Sequence, residues 1–121
     1  ATPVAMADLD EKQLTAIQAV LRKTEFERLI ATSTDSAEER AEGLRAVAAT
    51  GDLAALTRAA QDIGSIAANV GARRLNQLAG ALERACRERR PEDADRIVPD
   101  VTEAATRISA ELRRRFLRRA G

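Results

Sequence analysis

The segment Ala59–Leu75, AAQDIGSIAANVGARRL, reads as helix in its first half, yet carries a glycine, a serine and several alanines where a solvent-facing helix normally carries charge. Gln61 stands in their midst. At about 100° per residue, Leu53, Leu56, Ala60, Ile63, Ala67 and Val70 form one apolar stripe. Gln61 then points roughly 130° from the stripe's centre, toward solvent or the flank of the fold. Around it lie Thr57, Arg58, Gly64 and Ser65 one turn away, and Ala54 and Ala68 two turns away. Apart from Arg58 this face is small and uncharged. A mid-helix glycine costs about 1 kcal/mol relative to alanine, so Gly64 needs a reason. Either another element of the same fold packs close, or a partner's backbone does, with Gln61 at the centre of the contact.

The rest of the chain offers little other chemistry. There is no histidine at all, hence no imidazole to move protons near neutral pH. The single cysteine, Cys86, excludes an internal disulfide and falls in an apolar helical register, as a small buried hydrophobe does. Glu38, Glu39 and Glu42 read as a solvated face rather than a metal cluster. Absence of Trp and Tyr, with a net charge of +1, argues against nucleic acid. Residues 1–55 hold 6 Lys and Arg against 10 Asp and Glu, a charge of −4, while residues 56–121 hold 14 against 9, or +5. The basic excess gathers in RISAELRRRFLRRAG, which suits a solvated final helical turn or an acidic partner. No run is apolar enough to span a membrane and no secretory leader is evident, so a cytoplasmic site is expected, or the cytoplasmic part of a larger membrane-bound protein.

The elements that must position Gln61 follow from periodicity and punctuation. The 121 residues suit one domain, 1–121, with a core over about 9–117. Only Phe26 and Phe116 are aromatic, so the core must be Leu, Ile, Val and Ala, as where helices meet closely. Five helices are expected. The first covers about Leu9 to Leu21, capped by Asp8 or Asp10. The second begins near Thr24 and runs to Ala49, its polar middle ATSTDSAEERAE being either exposed helix or a break near Ser33–Asp35. Continuity is preferred. Gly51 ends it and Asp52 caps the third, Leu53 to about Asn69. Gly71 offers another left-handed stop. The fourth runs from Ala72 to about Arg89, with Leu75, Leu78, Ala79, Leu82 and Cys86 in register. The last starts at Pro91 and reaches about Arg118, kinked or divided at Pro99. Short connections make the whole an all-α, up-and-down four-helix bundle with a short extra helix at its N-terminus.

The pattern resembles the histidine-containing phosphotransfer domains of bacterial two-component phosphorelays over roughly residues 9–117. Their third helix carries A-H-x-L-K-G-S-x-x-x-x-G-A, followed by L-x-x-L-x-x-x-L-E. Here Ala60, Ile63, Gly64, Ser65, Gly71 and Ala72 fit the first motif, and Leu75, Leu78, Leu82 and Glu83 continue it. Gln61 takes the histidine position. Gly64 takes the place of a lysine that helps neutralise phosphate, and Ser65 that of the following glycine. The resemblance implies a domain that docks a response-regulator receiver and works beside a sensor histidine kinase, on the same chain or another. In the family an imidazole nitrogen attacks the receiver's aspartyl phosphate, and the receiver supplies the metal, so the resemblance implies no metal or cofactor on this chain. A glutamine amide cannot replace it, because its nitrogen lone pair is delocalised into the carbonyl. The chain is then either a natural docking regulator or a phosphotransfer domain whose histidine has been exchanged. The other alternative is a structural or dimerisation bundle unrelated to phosphotransfer. The resemblance places the docking face on Ala54, Thr57, Arg58, Gly64, Ser65 and Ala68 around Gln61. Arg73 or Arg74 would reach the receiver's acidic pocket or its phosphate.

Overall fold

Two of the described helix starts are set by an aspartate that caps the first turn. The computed structural model describes residues 8–117, and α1 covers Glu11–Val20, α2 Lys23–Ala49, α3 Leu53–Asn69, α4 Arg73–Arg87 and α5 Pro91–Phe116. All five elements are helical. Asp10 caps α1 by accepting the Gln13 N–H at 3.1 Å, which selects Asp10 over Asp8. Asp52 caps α3 by accepting the Ala55 N–H at 3.0 Å. Asp52→Ala is therefore expected to cost about 1 kcal/mol, seen as a lower urea midpoint with an unchanged slope. Gly51 and Gly71 both take left-handed backbone, with φ of 76° and 67°. At Gly71 a side chain is doubly excluded, since an added Cβ would lie 3.2 Å from the Asp10 carbonyl oxygen.

α3 packs on α2 and α4, and α5 closes the bundle against α2 and α4. Leu14, Ile30, Leu44, Leu56, Ile63, Leu75, Leu82, Val101, Ile108 and Leu112 are buried in one continuous core, interleaved with alanines. α1 has few contacts with α2 and lies instead over the α3–α4 turn, where the Asp10 N–H donates to the Gly71 carbonyl at 2.7 Å. Ion pairs fasten it further. Arg115 grips Glu11 at 2.8 Å, Arg73 reaches Asp10 at 3.4 Å, and the buried Asp8 meets Arg107 at 3.2 Å.

The Gln13 backbone N–H holds the Asp10 carboxyl below the usual range, with Arg73 adding to it, and Arg115 does the same for Glu11. Groups lowered in this way stabilise above their unfolded-chain values and lose that contribution as pH falls through the lower folded values. Amide protection in α1, taken relative to the intrinsic exchange rate at each pH, is thus expected to fall as pH drops below about 4, ahead of the rest of the bundle.

α2 is one helix through Ser33–Asp35, as continuity requires, and it begins at Lys23, beside the expected Thr24. Other expectations are corrected. The polar middle of α2 is not simply exposed: Ser33, Thr34, Ala37 and Ala41 are buried, and the Thr34 hydroxyl donates back to the Ile30 carbonyl at 2.8 Å. α4 is shorter than expected. Arg89 adopts φ 56°, and the Arg90 N–H turns back to the Ala85 carbonyl at 2.8 Å, closing the helix at Arg87. α5 continues through Pro99 without dividing. Pro99 is exposed, so the carbonyl it deprives of a partner is on the wet side of the helix. The basic end is not simply solvated. Arg113 binds Asp35 at 2.7 Å and Glu38 at 2.8 Å, Arg114 binds Glu111, and Arg115 binds Glu11 while lying over Phe116. Glu38 accordingly leaves the solvated acidic face assigned to it. Arg118 lies outside the described residues.

Candidate functional site

The third-helix stripe turns inward as its spacing requires: Leu56, Ala60, Ile63, Ala67 and Val70 are buried, while Leu53, at the open end of the bundle, is only half covered. This fixes Gln61 on the outer flank of α3, beside α4. An open groove of about 620 Å³ runs between the two helices, lined by Ala60, Gln61, Asp62, Gly64, Ser65 and Ala68 from α3 and by Asn76, Gly80 and Glu83 from α4.

Gln61 is exposed and anchored. Its Nε2 donates to Glu83 Oε2 at 2.9 Å, and the same carboxylate oxygen also binds the Arg87 guanidinium. Glu83 accepts only, so the amide nitrogen must be the group that faces it. At the other end of the groove, Asn76 Nδ2 donates to the Gly64 carbonyl at 3.0 Å. Asp62 is bound by Arg40 from α2 at 3.1 Å. The face is therefore not uncharged apart from Arg58, as its α3 residues alone suggest: two carboxylates line it, each held by an arginine.

Gly64 brings the helices together without being compelled by them. A Cβ there would stand 3.6 Å from the Ala79 Cβ and 3.8 Å from Asn76 Nδ2, ordinary contacts. At Gly80 a Cβ would meet nothing within 4 Å. Both glycines leave the groove floor bare.

Of the residues expected around Gln61, the groove gathers Gly64, Ser65 and Ala68. Ala54 and Thr57 instead line a separate cleft with Gly51, Asp52, Leu53, Cys86, Arg87 and Arg89. Thr57 turns toward the bundle: its hydroxyl donates to the Leu53 carbonyl at 2.8 Å and lies against the Cys86 thiol. Burial pushes that thiol's pKa up, as befits a small buried hydrophobe. Arg58 is exposed and lines neither cavity. Arg73 borders a third cleft and is engaged by Asp10, whereas Arg74 is exposed. That third cleft shares Ala68 and Asn76 with the groove, and Gln13 of α1 closes it by donating to the Ala68 carbonyl at 2.6 Å.

Glu83, Asn76 and Gly80, all on α4, are the groove residues that spacing on α3 does not disclose, and Asp62, next to Gln61 on α3, is left out of the expected face. Glu83 stands in the leucine pattern of α4, but its place opposite Gln61 depends on how the two helices slide past one another. Among the described residues no helix is long and apolar enough to cross a membrane, and no cluster of His, Cys, Asp and Glu could hold a metal ion.

Residues 28–112 match the Hpt domain family. The crystal structure of histidine-containing phosphotransfer protein B (HptB) from Pseudomonas aeruginosa PAO1 superposes with a TM-score of 0.87 at 23% identity, covering 95% of this chain and 99% of that one. At that identity the likeness establishes the fold. No curated protein matches the chain.

Proposed function

This chain belongs to the Hpt domain family, whose members are phosphotransfer signalling domains, and on that premise we propose that it docks a response-regulator receiver through the groove centred on Gln61 without accepting its phosphate. A sensor kinase, on this chain or another, is the second expected partner. One observation carries the reading. A neutral amide, hydrogen-bonded to Glu83 at 2.9 Å, stands over a floor of two glycines on an otherwise open groove. Gly64, Ser65 and Ala68 admit a partner's backbone to the place where a nucleophile would act. Gln61 cannot act there. Its nitrogen lone pair is spread into the carbonyl, and no histidine elsewhere can substitute. The domain binds and does not relay.

Glu83 is the positioning residue of this site and joins the docking face, while Thr57, turned toward Cys86, leaves it. Arg74 is better placed than the engaged Arg73 to meet a receiver's acidic rim. Arg58 flanks the groove one turn before Gln61. The contact is modest in area and transient, as signalling contacts often are.

Ala68→Arg tests the reading. The Ala68 side chain is exposed on the groove, so the long charged group should cost receiver affinity about tenfold or more, measured by titration calorimetry. Stability should stay within about 0.5 kcal/mol. Unchanged affinity in a folded variant would place the interface elsewhere.

A further inference from the structure

Resting on the docking reading above, we infer that the groove selects the unphosphorylated form of its receiver. The charges that line it carry the inference. Asp62 and Glu83 contribute two carboxylates, and the lining includes no lysine or arginine. The two guanidinium groups at its edge are already committed, Arg40 to Asp62 at 3.1 Å and Arg87 to Glu83. Lining and attendant arginines together are electrically neutral.

The remaining polar donors are neutral: Gln61 spends one of its two N–H groups on Glu83 and Asn76 one of its two on the Gly64 carbonyl, which leaves one on each, with the Ser65 hydroxyl, and none brings a positive charge. Position 64, one turn beyond Gln61 and facing the groove, has no side chain at all. A phosphoryl group carries about −1.5 to −2 charge at neutral pH. Entering this groove, it would lose water and find no free cation in the lining. To gain one it must pull Arg87 from Glu83, which leaves a carboxylate beside the phosphate, or Arg40 from Asp62 with the same consequence. Among the described residues Arg58 is outside any ion pair, but it does not line the groove. A receiver without the phosphoryl group, its own metal in place, brings no such excess of negative charge.

The device therefore sorts receivers by state. A groove built to pass a phosphoryl group would offer it a cation. This one holds each of its cations on a carboxylate and keeps the position one turn from Gln61 bare.

The experiment measures the affinity of the full chain for a receiver domain that it binds, with Mg2+ present throughout and with or without beryllofluoride, which mimics the aspartyl phosphate. Beryllofluoride is expected to weaken binding about three- to tenfold, the size of a few partly screened charge interactions. Gly64→Lys supplies the missing cation at a site where the Cβ meets only ordinary contacts. With its helical spectrum intact, that variant should erase or reverse the difference. Equal or tighter binding of the beryllofluoride form by the unaltered chain overturns the inference and leaves docking standing. A folded Gly64→Lys chain that discriminates as before also overturns it, because the preference would then not arise from groove charge. Failure to bind any receiver of a panel in either state overturns the docking reading together with it.

Discussion

Leu82→Ala is expected to lower the unfolding free energy by about 2–5 kcal/mol, the range for emptying a buried leucine site. Leu82 is fully buried on the inner face of α4, where that helix meets both α3 and α5. Helices packed on both sides hold their spacing, so the loss should include a cavity cost beyond the transfer of the missing hydrocarbon. Leu78 supplies the contrast. It shares the leucine pattern of α4 but packs only at the edge of the core, half-buried. Leu78→Ala should therefore cost clearly less, despite the same change in chemistry. Urea unfolding followed by circular dichroism gives both values. A loss below about 1 kcal/mol at Leu82, or a larger loss at Leu78 than at Leu82, would contradict the register of α4 and with it the placement of Glu83 opposite Gln61.

That register marks the boundary of what the amino-acid order discloses. The ends of α2 and α3 and the turn before α4 are legible because each is set by residues within a few positions: Gly51 and Gly71 by their left-handed backbone, Asp52 by its reach to the Ala55 N–H. The inward stripe of α3 is legible for the same reason, since helical period alone orders Leu56, Ala60, Ile63 and Ala67. Leu53 drops out because position along the bundle, not period, decides how much covers it.

Partners far apart in the chain are a different matter. Periodicity says which face a residue occupies and nothing about what faces it. Gln61 and Glu83, Arg73 and Asp10, Arg113 and the Asp35–Glu38 pair are meetings of this kind. The groove is made of two helices, and a third of its lining residues are invisible from the one that carries Gln61. Polarity also misleads within α2. Thr34 counts as a surface residue until its hydroxyl is seen satisfied by the carbonyl one turn back, which lets it bury among alanines.

Gln61→His is expected to convert the chain from the binding domain proposed above into one that takes phosphate. The Glu83 carboxylate lies 2.9 Å from the present amide nitrogen, within reach of an imidazole at the same position. By accepting the N–H of one ring nitrogen it would fix the tautomer and leave the lone pair of the other directed outward. That nitrogen attacks phosphorus, the bond to the receiver's aspartyl oxygen breaks, and the carboxylate leaves with the bonding pair. The groove around position 61 is already open and its floor bare, so the substitution needs no room made for it. With no cation at position 64, the transfer should be slower than in a groove that has one. It should still exceed the glutamine chain by at least about a hundredfold, since the nucleophile itself is gained.

The measurement that tests the central claim incubates a radiolabelled phosphorylated receiver with the unaltered chain and with the Gln61→His variant, and follows both binding and the transfer of label. The account predicts that both chains bind the receiver and that label appears on the histidine variant alone. Label on the glutamine chain, or failure of both chains to bind any receiver of a panel, would contradict it.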